Sequence, residues 1–110
     1  WRAQFAQDLM IPLAEDLRER GFAVWNLEYR RVGQDGGGYP GTLDDVAAGI
    51  DHLASLADAQ GLDLDRVAVV GHSAGGQLAQ WAGSRSLLAP GDPGAFRRFS
   101  PASRGAVEGT

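Results

Sequence analysis

Apolar residues recur at two periods along this chain, and the two alternate. From Arg2 to Arg20, Phe5, Leu9, Leu13 and Leu17 stand four apart with Gln, Glu, Asp and Arg between them. That spacing predicts an amphipathic helix over 2–20, stopped by Gly21. Pro12 lacks a backbone donor, so a kink or a fresh helical start is expected near Met10. Phe22-Ala23-Val24-Trp25-Asn26-Leu27-Glu28-Tyr29 follows, aromatic and branched, and reads as a mostly buried strand over 22–29. Arg30 to Gly41 holds five of the sixteen glycines plus Pro40, a density that suits only a loop.

The pattern then repeats. Thr42 offers a hydroxyl N-cap with Asp45 three residues on, and Val46, Ile50, Leu53 and Ala57 form an apolar stripe, so a second helix is expected over 42–60. Val67-Ala68-Val69-Val70 runs without alternation, as a parallel strand covered on both faces does, and predicts a strand at 66–70. A turn at 71–75 leads into a third helix, 75–84, with Leu78, Trp81 and Ala82 turned inward. The stretch 87–110 reads as irregular, since Leu87 to Arg104 carries three prolines and two glycines, although 104–110 could open another strand. Helix, strand, helix, strand, helix is the alternation of an α/β fold, with right-handed crossovers between parallel strands and with Trp25 and Trp81 in the core.

Length and charge narrow the function. At 110 residues with 44% apolar content the chain is at most one domain, or part of one. It begins at Trp1 and runs straight into the helical pattern, so the true N-terminus is expected upstream. The net charge of −4 is mild and the ten basic residues are scattered, which gives no footprint for nucleic acid. Without cysteine there is no disulfide, thiolate metal site or cysteine nucleophile, and the compartment stays open. No apolar run nears the roughly 20 residues of a membrane span. No metal or cofactor is expected.

The chemistry gathers at Gly71-His72-Ser73-Ala74-Gly75, a G-x-S-x-G pattern between an apolar run and a helix. A strand that reverses sharply into a helix brings together the backbone two residues before and after the serine, which favours Gly71 and Gly75. Ser73 is then expected in a strained conformation with its hydroxyl projecting, the partial positive end of the next helix pointing at the same spot. The Ala74 amide is placed to donate to an oxyanion.

Gly71-His72-Ser73-Ala74-Gly75-Gly76 resembles the nucleophile elbow of α/β-hydrolases, in particular the esterase and arylformamidase-like branch related to hormone-sensitive lipase. Asn26–Arg30, Pro40, Asp44–Asp45 and Val67–Trp81 are similar to the same branch, and the resemblance covers roughly residues 5–84. It implies a partial α/β-hydrolase fold in which Ser73 is the nucleophile, Ala74 a backbone oxyanion donor, and the substrate a small carboxylic ester or amide. In that branch a His-Gly-Gly motif precedes the first helix, and Trp1 looks like the residue that closes it. The triad order is Ser, then Asp or Glu, then His, far downstream, so the chain as given is expected to be inactive. The family's strand order further implies an incomplete sheet, gapped or collapsed, with open edges.

Other residues carry less. His72 diverges from the serine on so tight a turn, and His52 lies about 200° round the helix from the apolar stripe. Asp92 and Glu108 read as surface carboxylates. Gly36-Gly37-Gly38 has no following lysine and reads as a flexible loop rather than a phosphate cradle, while Arg30-Arg31 reads as a solvated strand end rather than an anion site. Two rivals stay open: a nucleotide-binding α/β domain, although Gly71, Gly75 and Gly76 do not spell G-x-G-x-x-G, and a catalytically silent hydrolase scaffold. Oligomeric state is not legible.

Overall fold

The computed structural model describes residues 7–95. Its regular structure is three helices, α1 (Ile11–Glu19), α2 (Gly41–Gln60) and α3 (Ala74–Gly83), with a 3-10 turn at Gln7–Met10 leading into α1 and another at Arg85–Leu87 following α3. Among these residues none of the helices is long and apolar enough to cross a membrane.

The expected sheet is absent among the described residues. Neither 22–29 nor 66–70 belongs to a ladder, and only Val32 is marked by an isolated bridge among the described residues. The α/β expectation, with parallel strands alternating with helices, is therefore corrected: the described chain is helical. A ladder belongs to two segments, each supplying donors to the other's acceptors across about 4.8 Å. Branched and aromatic composition shows that a run fits a covered, pleated surface, but it does not provide the neighbour. Accordingly no residue of either run is buried, and Phe22 at 60%, Trp25 at 45% and Val70 at 50% exposure are open to solvent. Trp25 is not a core residue. The expected strand at 104–110 lies outside the described residues.

The chain divides into two compact units, Trp1–Thr42 and Leu43–Thr110. In the first, Pro12 occupies the opening turn of α1, where a missing backbone donor breaks no helical bond. The helix closes with Phe22 N–H donating to the Leu17 carbonyl at 3.1 Å, with Gly21 at φ 95°. None of the α1 side chains is buried. Tyr29 is half-buried; burial pushes its phenol above the ordinary value, an effect that Arg31 opposes and Glu28 reinforces.

Thr42 ends this unit and does not cap α2 in the expected way. Its side chain is fully buried. The hydroxyl accepts from Gly38 N–H at 3.0 Å and donates to the Arg30 carbonyl, while Thr42 N–H donates to the Gly38 carbonyl at 2.7 Å. The hydroxyl thus faces back into the glycine-rich loop, where it serves one backbone donor and one backbone acceptor.

The second unit holds the core. Leu43, Val46, Ala47 and Ile50 of α2 are buried, at the i, i+3, i+4, i+7 spacing of a single helix face, as are Leu78, Ala79 and Ala82 of α3. Trp81 is half-buried; its ring lies 2.5 Å from where a Cβ on Gly94 would sit, and Ala47 Cβ lies 3.3 Å from the same point. Arg85 is completely buried. Its Nη1 and Nη2 donate to the two carboxylate oxygens of Asp51 at 3.1 and 3.0 Å, and its Nε donates to the Gly94 carbonyl at 3.0 Å.

Replacing Thr42 by valine keeps the shape and removes both hydroxyl bonds. The expected outcome is a loss of about 1–3 kcal/mol, the sum for two hydrogen bonds, read as a lower urea midpoint with unchanged slope.

Candidate active site

The segment from Gly71 to Gly76 reverses within a few residues. Gly71 is buried, and a Cβ built on it would stand 2.0 Å from the Gly75 carbonyl oxygen, 2.2 Å from its carbon and 2.6 Å from Gly76 nitrogen. No side chain fits such a gap, so the close approach requires glycine here. The symmetric expectation for Gly75 does not hold. A Cβ on Gly75 meets nothing within 4 Å, because it is this residue's backbone, and not the space beside its own Cα, that the incoming chain touches.

Ser73 stands at the apex with φ 57° and ψ −117°, the one described non-glycine residue with positive φ. L-residues rarely adopt this conformation, and here it is over-determined by its surroundings. The Gly75 amide donates to the His72 carbonyl at 2.9 Å, and the Gly76 amide to the Ser73 carbonyl at 2.9 Å, fastening the turn to the first turn of α3. Ser73 is the residue preceding that helix, yet its hydroxyl makes no capping bond. It is exposed.

Ala74 opens α3, and its amide has no acceptor among the described residues. Helices begin with donors of this kind, and the partial positive charge of the helix end adds to them. A free amide and a free hydroxyl on successive residues can respectively polarise a carbonyl oxygen and attack its carbon.

The remaining candidates lie elsewhere. His72 is exposed beside the apex, and His52 is an exposed residue within α2. Neither bonds to the Ser73 hydroxyl. Asp92 is committed to its own turn, its Oδ2 accepting from Ala89 N–H at 2.9 Å. Glu108 lies outside the described residues. Arg31 pairs with Glu28 and is largely covered, which departs from the solvated strand end read in the sequence. The glycines beside it are closely packed: a Cβ on Gly36 would stand 2.2 Å from Arg30 Nη1, and one on Gly37 1.9 Å from the Arg31 carbonyl oxygen. Among the described residues no cluster of three or more His, Asp or Glu could hold a metal ion. The Ala74 amide, expected from the turn-then-helix pattern as an oxyanion donor, stands at the start of α3 without an acceptor among the described residues.

The two glycines of the turn are expected to respond oppositely to substitution. Gly71→Ala forces a methyl into backbone and is expected to cost about 3 kcal/mol. Gly75→Ala fills open space on a helical residue and is expected to stabilise by about 0.5 kcal/mol. Chemical denaturation of the two variants checks the pair.

No curated protein and no solved structure matches the chain. A family model described as BD-FAE does, over residues 2–90, and it represents a domain associated with esterase-like α/β-hydrolase proteins. That match takes in α1, α2, the turn at Ser73 and all of α3, and the chain accordingly belongs to the BD-FAE family.

Proposed function

We propose that the protein is a serine hydrolase that cleaves small carboxylic esters or amides through an acyl-enzyme at Ser73. The observation that carries this reading is the pairing of an exposed Ser73 hydroxyl with the Ala74 amide at the head of α3, neither bonded among the described residues. Family membership supports the broader class, a hydrolase-like esterase domain.

In this reading the Ser73 oxygen attacks the carbonyl carbon as its proton passes to a base. The carbonyl oxygen takes up negative charge and accepts a hydrogen bond from the Ala74 amide. The tetrahedral adduct collapses, the C–O or C–N bond breaks, and the alcohol or amine leaves with a proton. Water then attacks the acyl-serine and releases the acid. One such oxyanion donor contributes about 3–4 kcal/mol to the transition state. Because the amide is already fixed by the turn, little reorganisation is needed when the charge appears.

A serine hydroxyl is a weak nucleophile at neutral pH until a base is brought to it. Neither His52 nor His72 is offered for that role, since Ser73 has no hydrogen bond to either. The same observation favours a second reading, a silent hydrolase scaffold in which the turn persists without chemistry.

Fluorophosphonate labelling separates the two. The native protein, in the length in which it is expressed, is expected to take up one adduct that maps to Ser73, and Ser73→Ala is expected to abolish it. An adduct on another residue, or undiminished labelling of the alanine variant, would exclude Ser73 as the nucleophile; no adduct at all would favour the scaffold.

A further inference from the structure

We infer that the Asp51–Arg85 pair is a positioning element for Ser73, setting the direction in which α3 presents it; this rests on the reading of Ser73 as nucleophile. Ser73 and Arg85 flank the same helix, one immediately before Ala74 and the other just beyond the Ser84 cap. An α-helix of ten residues is a stiff rod about 15 Å long, so fixing one end constrains where the other can point.

The far end is fixed by long side chains. Asp51 belongs to α2 and is 34 residues from Arg85, so their two-pronged bond joins distant parts of the second unit. The third arm, Arg85 Nε, holds the Gly94 carbonyl. Gly94 is held from the other side as well: Trp81 of α3 covers its Cα so closely that a Cβ would stand 2.5 Å from the ring. One guanidinium thus ties α2, the end of α3 and the segment around Gly94 together.

Energy alone gives this arrangement little reason to exist. A buried ion pair repays its desolvation only with well-formed geometry, and apolar residues of similar volume often stabilise a fold equally well. What a planar fork gripping both oxygens of a carboxylate adds is direction, since it constrains distance and angle together. Leu78, Ala79 and Ala82 bury α3 without fixing its angle, because apolar contact is non-directional.

The test uses Asp51→Asn, which keeps size and polarity but loses the charge and one acceptor, with Arg85→Met as the stronger variant. In the native protein, Asp51→Asn is expected to retain the helical circular dichroism spectrum and the concentration dependence of fluorophosphonate labelling, while the maximal labelling rate of Ser73 falls about tenfold; a misplacement of about 1 Å costs up to roughly 100-fold. Hydrogen exchange in the peptide spanning 71–78 is expected to quicken relative to that of α1. Arg85→Lys, which keeps the charge without the fork, is expected to fall between Arg85→Met and wild type. If Arg85→Met does not fold, Asp51→Asn decides alone. Folded Asp51→Asn that labels at the wild-type maximal rate overturns the positioning role and leaves Ser73 as nucleophile. A wild-type protein that takes no adduct removes the nucleophile and the positioning role together.

Discussion

Between Gly71 and Gly76 the chain doubles back with its two arms in van der Waals contact, and the exposure of Ser73 follows from that contact. An apex residue in so short a reversal cannot adopt ordinary extended or helical dihedrals, hence φ 57° at Ser73. The strain is held by hydrogen bonds from the Gly75 and Gly76 amides to the His72 and Ser73 carbonyls, which are also the first bonds of the approach to α3. The turn and the helix therefore support each other, and the orphan donor that every helix start leaves falls beside a hydroxyl.

The same helix is anchored by two different kinds of force. Apolar burial through Leu78, Ala79 and Ala82 supplies attraction without orientation, whereas Arg85 supplies orientation at a desolvation cost. Trp81 and Gly94 show how closely the two are fitted, since the ring occupies the space a side chain on Gly94 would need. The buried α-helical residues of the second unit thus lie on one face of α2 and along α3 from Gly76 to Ala82.

Helical periodicity and the glycine–serine turn are legible in the residues because each depends on neighbours close in sequence. Val46 and Ile50, four apart, and Leu78 and Ala82, four apart, mark faces that the structure buries. The apolar runs at 22–29 and 66–70 misled for the opposite reason: a ladder needs a second segment, and composition says only that a run would suit one. Thr42 illustrates the same limit at the scale of one hydroxyl. As a helix start it looked local, yet its bonds go to Gly38 and to Arg30, twelve residues away. The ion pair of Arg85 with Asp51, separated by 34 positions, had no local signal at all. At the turn, the spacing of the glycines pointed to the reversal but not to the asymmetry, in which Gly71 alone has no room for a methyl group.

All the buried apolar side chains described here belong to the second unit, while Leu9, Ile11, Leu13, Phe22 and Trp25 remain in water. Heat capacity changes on unfolding track newly wetted apolar surface. Melting of the stretch that contains α1 would then absorb little heat and expose little that was dry, whereas loss of the α2 and α3 faces would carry the calorimetric transition. Fraying of α1 is consequently a low-energy fluctuation that a thermogram would pass over.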